Sequence, residues 1–249
     1  MFLHLRRAQR SKHGPWRPAY TWSILDAATT ARSLDIERIS VLELGVAGGG
    51  GLLALEAAAE GAESLLSTRI DVYGFDTGGG LPTALDVRDA PFAIQQGDFA
   101  MDEAKLRSRL RRARLLIGDV KDTAREFLSK EPAPIGFISF DLDYYSSTMD
   151  SFALLEADSL RLLPRVMCCF DDVLWYPWTG FNGERAAIAE FNATHEQRKI
   201  SPLYGLRYSL PGSEFRLAWP ELLFVAELFD HPLYRMPEGR LLPDLTLRD

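Results

Sequence analysis

The sequence predicts a doubly wound α/β fold, a mostly parallel sheet with helices on both faces, and three observations carry that reading. Short apolar runs such as VLELG, IDVYGFD and IGFISFDLD alternate with segments of helical pattern. The runs are apolar at nearly every position, as strands covered on both sides must be. They end in glycine or aspartate, residues that stop a strand and leave a ligand-accessible turn at its carboxyl end.

The elements follow in order. After a basic start, MFLHLRRAQRSKHG, the segment TWSILDAATTARSLDI spaces its apolar residues as a helix and leads into a first strand, VLELG. GLLALEAAAEGA is rich in strong helix formers, and IDVYGFD is a second strand ending at Asp76. ARLLIGD, IGFISFDLD and RVMCCFDD read as strands three to five. The helix DTAREFLSK lies between the third and fourth, and the helix STMDSFALLEADSLRLL, closed by Pro164, between the fourth and fifth. An aromatic loop, VLWYPWTGFNG, precedes a helix at GERAAIAEFNATHEQ. Two extended runs, around KISPLYGLRYSL and EFRLAWPELLFVAEL, are expected to pair antiparallel at the far edge of the sheet. The tail after Pro232 has no clear period, and little structure is assigned to it.

Composition narrows the function. The chain has 249 residues, 47% of them apolar, enough for a full core in one large domain. Its 28 basic and 35 acidic residues give a net charge of −7, which argues against nucleic acid or an anionic membrane as partner and favours a small molecule. Cys168 and Cys169 are neighbours in an apolar run and read as buried thiols of a reducing compartment, the cytoplasm. No apolar stretch approaches the roughly 20 residues of a membrane span, and the N-terminus lacks the pattern of a signal peptide.

Four carboxylates fall in two clusters, Asp141 and Asp143 in ISFDLDYYSST and Asp171 and Asp172 in MCCFDDVLW. With strand order 3-2-1-4-5, strands four and five are neighbours about 4.8 Å apart, which brings all four within reach of one cation. Asp141 and Asp143, at i and i+2, share a side if the strand persists through both. The donors are all oxygens, which favours Mg²⁺, with Mn²⁺ or Ca²⁺ as alternatives, over Zn²⁺. The competing reading is acids that cap helices or pair with arginines.

The first strand runs into ELGVAGGGG, in which Gly45, Ala47 and Gly49 form a G-x-G-x-G turn with alanine in the middle place. Asp76 at the end of the second strand suits the two hydroxyls of a ribose, so the unit reads as an adenosine-binding site. Glu43 suits an amino or cationic group better than a pyrophosphate. Asp119 is placed either to contact an adenine amino group or to cap the helix that follows. Trp175, Tyr176, Trp178 and Phe181 are candidates for stacking on an acceptor, and Ser146, Ser147 and Thr148 are expected to cap the next helix.

The strings ELGVAGGGG, YGFDTGGGLP, QQGDF, FDLDYYSST and FDDV, in that order over roughly residues 40 to 190, resemble the class I S-adenosylmethionine-dependent methyltransferases. Within that class they resemble the metal-dependent macrocin O-methyltransferase family. The resemblance implies a Rossmann-like methyltransferase fold in which Glu43, Gly45, Ala47, Gly49 and Asp76 hold the cofactor. It also implies Mg²⁺ held by Asp141, Asp171 and Asp172, with Asp143 as the candidate base beside Asp141. It implies transfer of a methyl group to a hydroxyl of a small acceptor, such as a vicinal diol, sugar or catechol-like group. The alanine at 47, the four-glycine run and the short N-terminal region depart from the family pattern. The last sixty or so residues match none of it, so the acceptor is not carried over.

One domain is expected over 1–249: an N-terminal helical extension at 1–39, a cofactor- and metal-binding core at 40–175, and a C-terminal part at 176–249 with the acceptor loop and edge strands. A homo-oligomer is left open. The alternatives are a metal-dependent nucleotide-sugar glycosyltransferase, which leaves the glycine-rich turn unexplained, a nicotinamide oxidoreductase, which has no use for four acids, and a non-catalytic adenosine-ligand-binding protein.

Overall fold

The computed structural model describes residues 16–210 and 217–236. The basic start and most of the tail after Pro232 lie outside those residues. The chain enters through helix α1 (Pro18–Ser33), whose proline stands where a missing N–H costs nothing. Strand β1 (Arg38–Leu44), helix α2 (Gly50–Leu66) and strand β2 (Arg69–Asp76) follow as a parallel βαβ unit. A long segment containing α3 (Glu103–Arg109) leads to β3 (Arg114–Ile117), α4 (Val120–Ser129), β4 (Ile135–Phe140), α5 (Tyr145–Ser151) and β5 (Leu162–Phe170). The remaining elements are α6 (Gly183–Thr194), β6 (Arg198–Pro202), the short α7 (Leu206–Ser209) and β7 (Leu223–Leu228).

The seven strands lie in the order β3-β2-β1-β4-β5-β7-β6. β1 to β5 are parallel, and β7 pairs antiparallel with both β5 and β6, as the two extended runs foretold. Side-chain alternation along each strand divides the core in two. Ile39 and Val41 of β1, Phe137 of β4 and Met167 and Cys169 of β5 join the layer formed with α1 and α2. Leu42, Leu44, Ile138, Phe140, Val166, Cys168 and Phe170 join the opposite layer, with α4, α5 and α6. Stacked rings at Phe140 and Phe170, 4.4 Å apart, tie β4 to β5 immediately beneath the acid-bearing turns.

Three expectations are corrected. The long helix before the fifth strand stops at Ser151 and gives way to 3₁₀ turns at Phe152–Leu154 and Ser159–Arg161. Pro164 does not close a helix; it lies inside β5, in the stretch where the β4–β5 register slips between Ile135 and Phe137, so its missing N–H interrupts no regular ladder. The first of the late extended runs is strand only through Pro202, after which a left-handed Gly205 starts α7. Among the described residues no helix is long and apolar enough to cross a membrane.

Candidate active site

The carboxyl ends of β1, β2, β4 and β5 surround a cavity of about 410 Å³, at the point where the strand order reverses beside β1. Its walls include Gly45, Ala47, Asp76, Asp119, Asp141, Asp143, Asp171 and Asp172, so eight of the ten candidate residues meet at one place. Trp175, Tyr176 and Trp178 also line it, Trp175 and Tyr176 being largely exposed.

The glycine turn is shaped by close approach. Gly45 has φ of 85°, and a Cβ there would collide with the carbonyl oxygen of Asp141. Ala47 takes φ of 44°, a left-handed conformation that costs an alanine about 1–2 kcal/mol. Gly49, at φ of 79°, is the N-cap of α2, where a Cβ would collide with the Leu106 side chain; it belongs to the turn but is not part of the cavity wall. Asp76 closes the loop: its Oδ2 accepts the N–H of Val46 at 2.9 Å and of Ala47 at 2.8 Å, and its Oδ1 accepts that of Gly78 at 2.6 Å. Asp119 caps α4, accepting the N–H of Lys121 at 2.9 Å, and also faces the cavity.

Glu43 stands behind this turn. Strand alternation puts it on the same face as Ile39 and Val41, between β1 and the α1–α2 layer, only 1% exposed. The Tyr20 hydroxyl of α1 donates to its Oε1 at 2.9 Å and accepts from Ser139 Oγ at 2.8 Å, and Gly51 leaves the space that Oε1 occupies. Its Oε2 has no hydrogen-bond partner among the described residues. Burial pushes the Glu43 carboxyl from 4.5 up to about 8, although Arg17 and the Tyr20 hydrogen bond pull the other way.

The acids beyond β4 and β5 are differently placed. β4 ends at Phe140 and Asp143 adopts a left-handed φ of 58°, so the strand does not persist through both acids, as their shared side required. Burial, and then the charges of Asp171, Asp172, Glu43 and Asp143, hold the Asp141 carboxyl well above the usual range. Burial with Asp171 and Asp98 brings Asp143 to about 6, and burial with Asp143 and Asp171 brings Asp172 to about 7. Among the described residues the buried Asp172 Oδ2 has no hydrogen-bond partner of good geometry, although the Asp143 backbone N–H and the Trp178 indole pull its carboxyl down.

Three residues missed in the sequence complete this end. Arg17 reaches Tyr20, its Nη1 3.4 Å from the hydroxyl, and its guanidinium, though penalised by burial, is stabilised by Tyr20, Glu43, Asp141 and Asp171. Tyr20 links Arg17 to Glu43. Glu184, in the first turn of α6, is 2% exposed and accepts the Asp172 backbone N–H at 3.0 Å. Strand parity was the available signal for Tyr20, because Glu43 and Ser139 both point to the α1 face. Of the expected caps, Ser146 instead bonds Asp89 at 2.9 Å, and Thr148 folds back on the Tyr144 carbonyl at 2.8 Å.

Among the described residues no three His, Cys, Asp or Glu side chains are arranged as a metal centre. The donor set nevertheless suits a hard divalent cation: carboxylates without imidazole or thiolate, mutually repelling, with the buried Asp172 Oδ2 lacking a hydrogen bond of good geometry among the described residues.

No family model matches the chain, and no curated protein matches it. Among solved structures it is similar to CalS11, a calicheamicin methyltransferase, at a TM-score of 0.55 and 23% identity over 82% of this chain and 87% of that one. It is similar also to the O-methyltransferase NovP, at a TM-score of 0.54 and 18% identity over 71% of this chain and 72% of that one. The seven-stranded sheet, its antiparallel edge and the cavity at its reversal point are thus built on the Rossmann-like fold of these methyltransferases.

Proposed function

We propose that the chain is an S-adenosylmethionine-dependent O-methyltransferase that methylates a hydroxyl of a small molecule with the help of a divalent cation, Mg²⁺. The observation that carries this reading is the meeting, in one cavity, of a glycine turn braced by Asp76 with an under-compensated cluster of aspartates. The likeness in fold to O-methyltransferases supports it.

In this reading Gly45, Ala47, Asp76 and Asp119 hold the cofactor, while Glu43 and Gly49 set the turn from behind. Asp141, Asp171 and Asp172 hold the metal. Bound S-adenosylmethionine supplies the methyl group, and a cation lowers the pKa of the acceptor hydroxyl. Asp143, at the cavity wall beside those acids, is the residue that would take the hydroxyl proton. Holding acceptor and cofactor side by side, the turn and the acids would supply about 7–11 kcal/mol through proximity. Trp175 and Tyr176 offer exposed ring faces at the rim, suited to stacking on a sugar or aryl acceptor and excluding water. The buried thiols of Cys168 and Cys169 accord with a cytoplasmic setting.

Thermal shifts with S-adenosylhomocysteine, NAD and UDP test the cofactor. Stabilisation by the homocysteine compound alone is expected; stabilisation by UDP alone would turn the reading to a glycosyltransferase, and by NAD alone to an oxidoreductase.

A further inference from the structure

Glu184 is a buried acid to which the mechanism above gives no part. Its Oε2 is used by the Asp172 backbone N–H, but its buried Oε1 has no hydrogen-bond partner among the described residues. No basic side chain among the described residues pairs with it, and the charges it faces are those of Asp172, Asp141 and Asp171. A glutamine would accept the same N–H through its amide oxygen, so anchoring the Asp171–Asp172 turn does not by itself call for a carboxylate. A fully buried acid beside three others is a poor choice for stability alone.

We propose that Glu184 is a positioning residue of the cation site: it fixes the Asp172 turn through one oxygen and carries on the other a carboxylate charge that a bound divalent cation would favour. This rests on the reading that Asp141, Asp171 and Asp172 hold a metal. The geometry sets Glu184 apart from those three: it lies 12 residues beyond Asp172, on α6, and reaches the site from the layer opposite to α1. Partners that orient a metal ligand typically govern affinity by about 10–100-fold.

The test is Mn²⁺ uptake by the full chain, read from loss of the free-ion electron paramagnetic resonance signal, together with the melting temperature without metal. Glu184→Gln should keep or raise the melting temperature and bind Mn²⁺ at least about tenfold more weakly than wild type. Glu184→Asp keeps the charge but shortens the reach to the Asp172 N–H; it should melt lower yet bind Mn²⁺ more tightly than the glutamine variant. Wild-type affinity in Glu184→Gln would overturn the inference and leave Glu184 as an anchor of the turn only. If the glutamine variant does not fold, Glu184→Ala, which removes both anchor and charge, takes its place, and wild-type Mn²⁺ affinity in that variant would also overturn it. If the wild type takes up no Mn²⁺, the metal reading falls and this inference with it.

Discussion

The carboxylates of the two halves of the cavity are held in opposite ways. Around the glycine turn they are engaged by the backbone: Asp76 accepts three main-chain N–H groups and Asp119 caps a helix. Beyond β4 and β5, Asp141, Asp143 and Asp172 crowd one another, and Glu184 adds a further acid. Engaged acids shape a wall; crowded, partly unpaired ones store electrostatic repulsion that a bound cation can relieve. Arg17 offsets part of that repulsion from the α1 side, towards Glu43, Asp141 and Asp171.

Substituting acids in the two halves should have opposite consequences. Asp171→Asn should lower turnover by about 10²–10⁴-fold, the worth of several kcal/mol of Lewis-acid assistance, while S-adenosylhomocysteine binding by calorimetry stays near wild type. Equal turnover in the variant would remove Asp171 from the metal set. In the other half, Asp76→Ala should cost about 2–4 kcal/mol by urea denaturation, because three N–H groups lose their acceptor. By contrast, Asp172→Asn should be neutral or stabilise the metal-free chain by about 1 kcal/mol, since it removes a poorly compensated buried charge. Two equal destabilisations would erase the distinction.

Glu43 gives a pH test. Its carboxyl titrates near 8 in the fold and near 4.5 when unfolded, so between those values the folded chain holds a proton that the unfolded chain has released. Its contribution to stability is full below 4.5 and is lost as pH rises through about 8. The melting temperature should therefore fall between pH 6 and 9, and less steeply in Glu43→Gln; parallel profiles would mean that Glu43 is already ionised at pH 6. The smallest effect belongs to Ala47→Gly. Release from the left-handed conformation and greater freedom in the unfolded chain oppose one another, leaving a gain of no more than about 1 kcal/mol by urea denaturation.

Much of this was legible in the chain itself. β1 to β5 announced themselves as apolar runs, and the aspartates that end two of them converge because the predicted strand order puts β4 beside β5. The helix ahead of β5 was misread because STMDSFALLEADSLRLL keeps a helical spacing of apolar residues that the fold divides among one helix and two 3₁₀ turns. Pro164 looked like a helix stop because nothing local marks the irregular register that admits it into a strand. Arg17, Tyr20 and Glu184 were not legible because each acts across the fold. Tyr20 meets Ser139 from 119 residues away, and Glu184 is recognisable only once α6 is known to pack beneath the Asp171–Asp172 turn.

The decisive measurement is methyl transfer from labelled S-adenosylmethionine to a panel of diols, catechols and sugars, run in parallel with Mg²⁺ and with EDTA. Transfer to at least one acceptor is expected in Mg²⁺ and is expected to be lost in EDTA; equal transfer in both would refute metal-dependent methylation by this site.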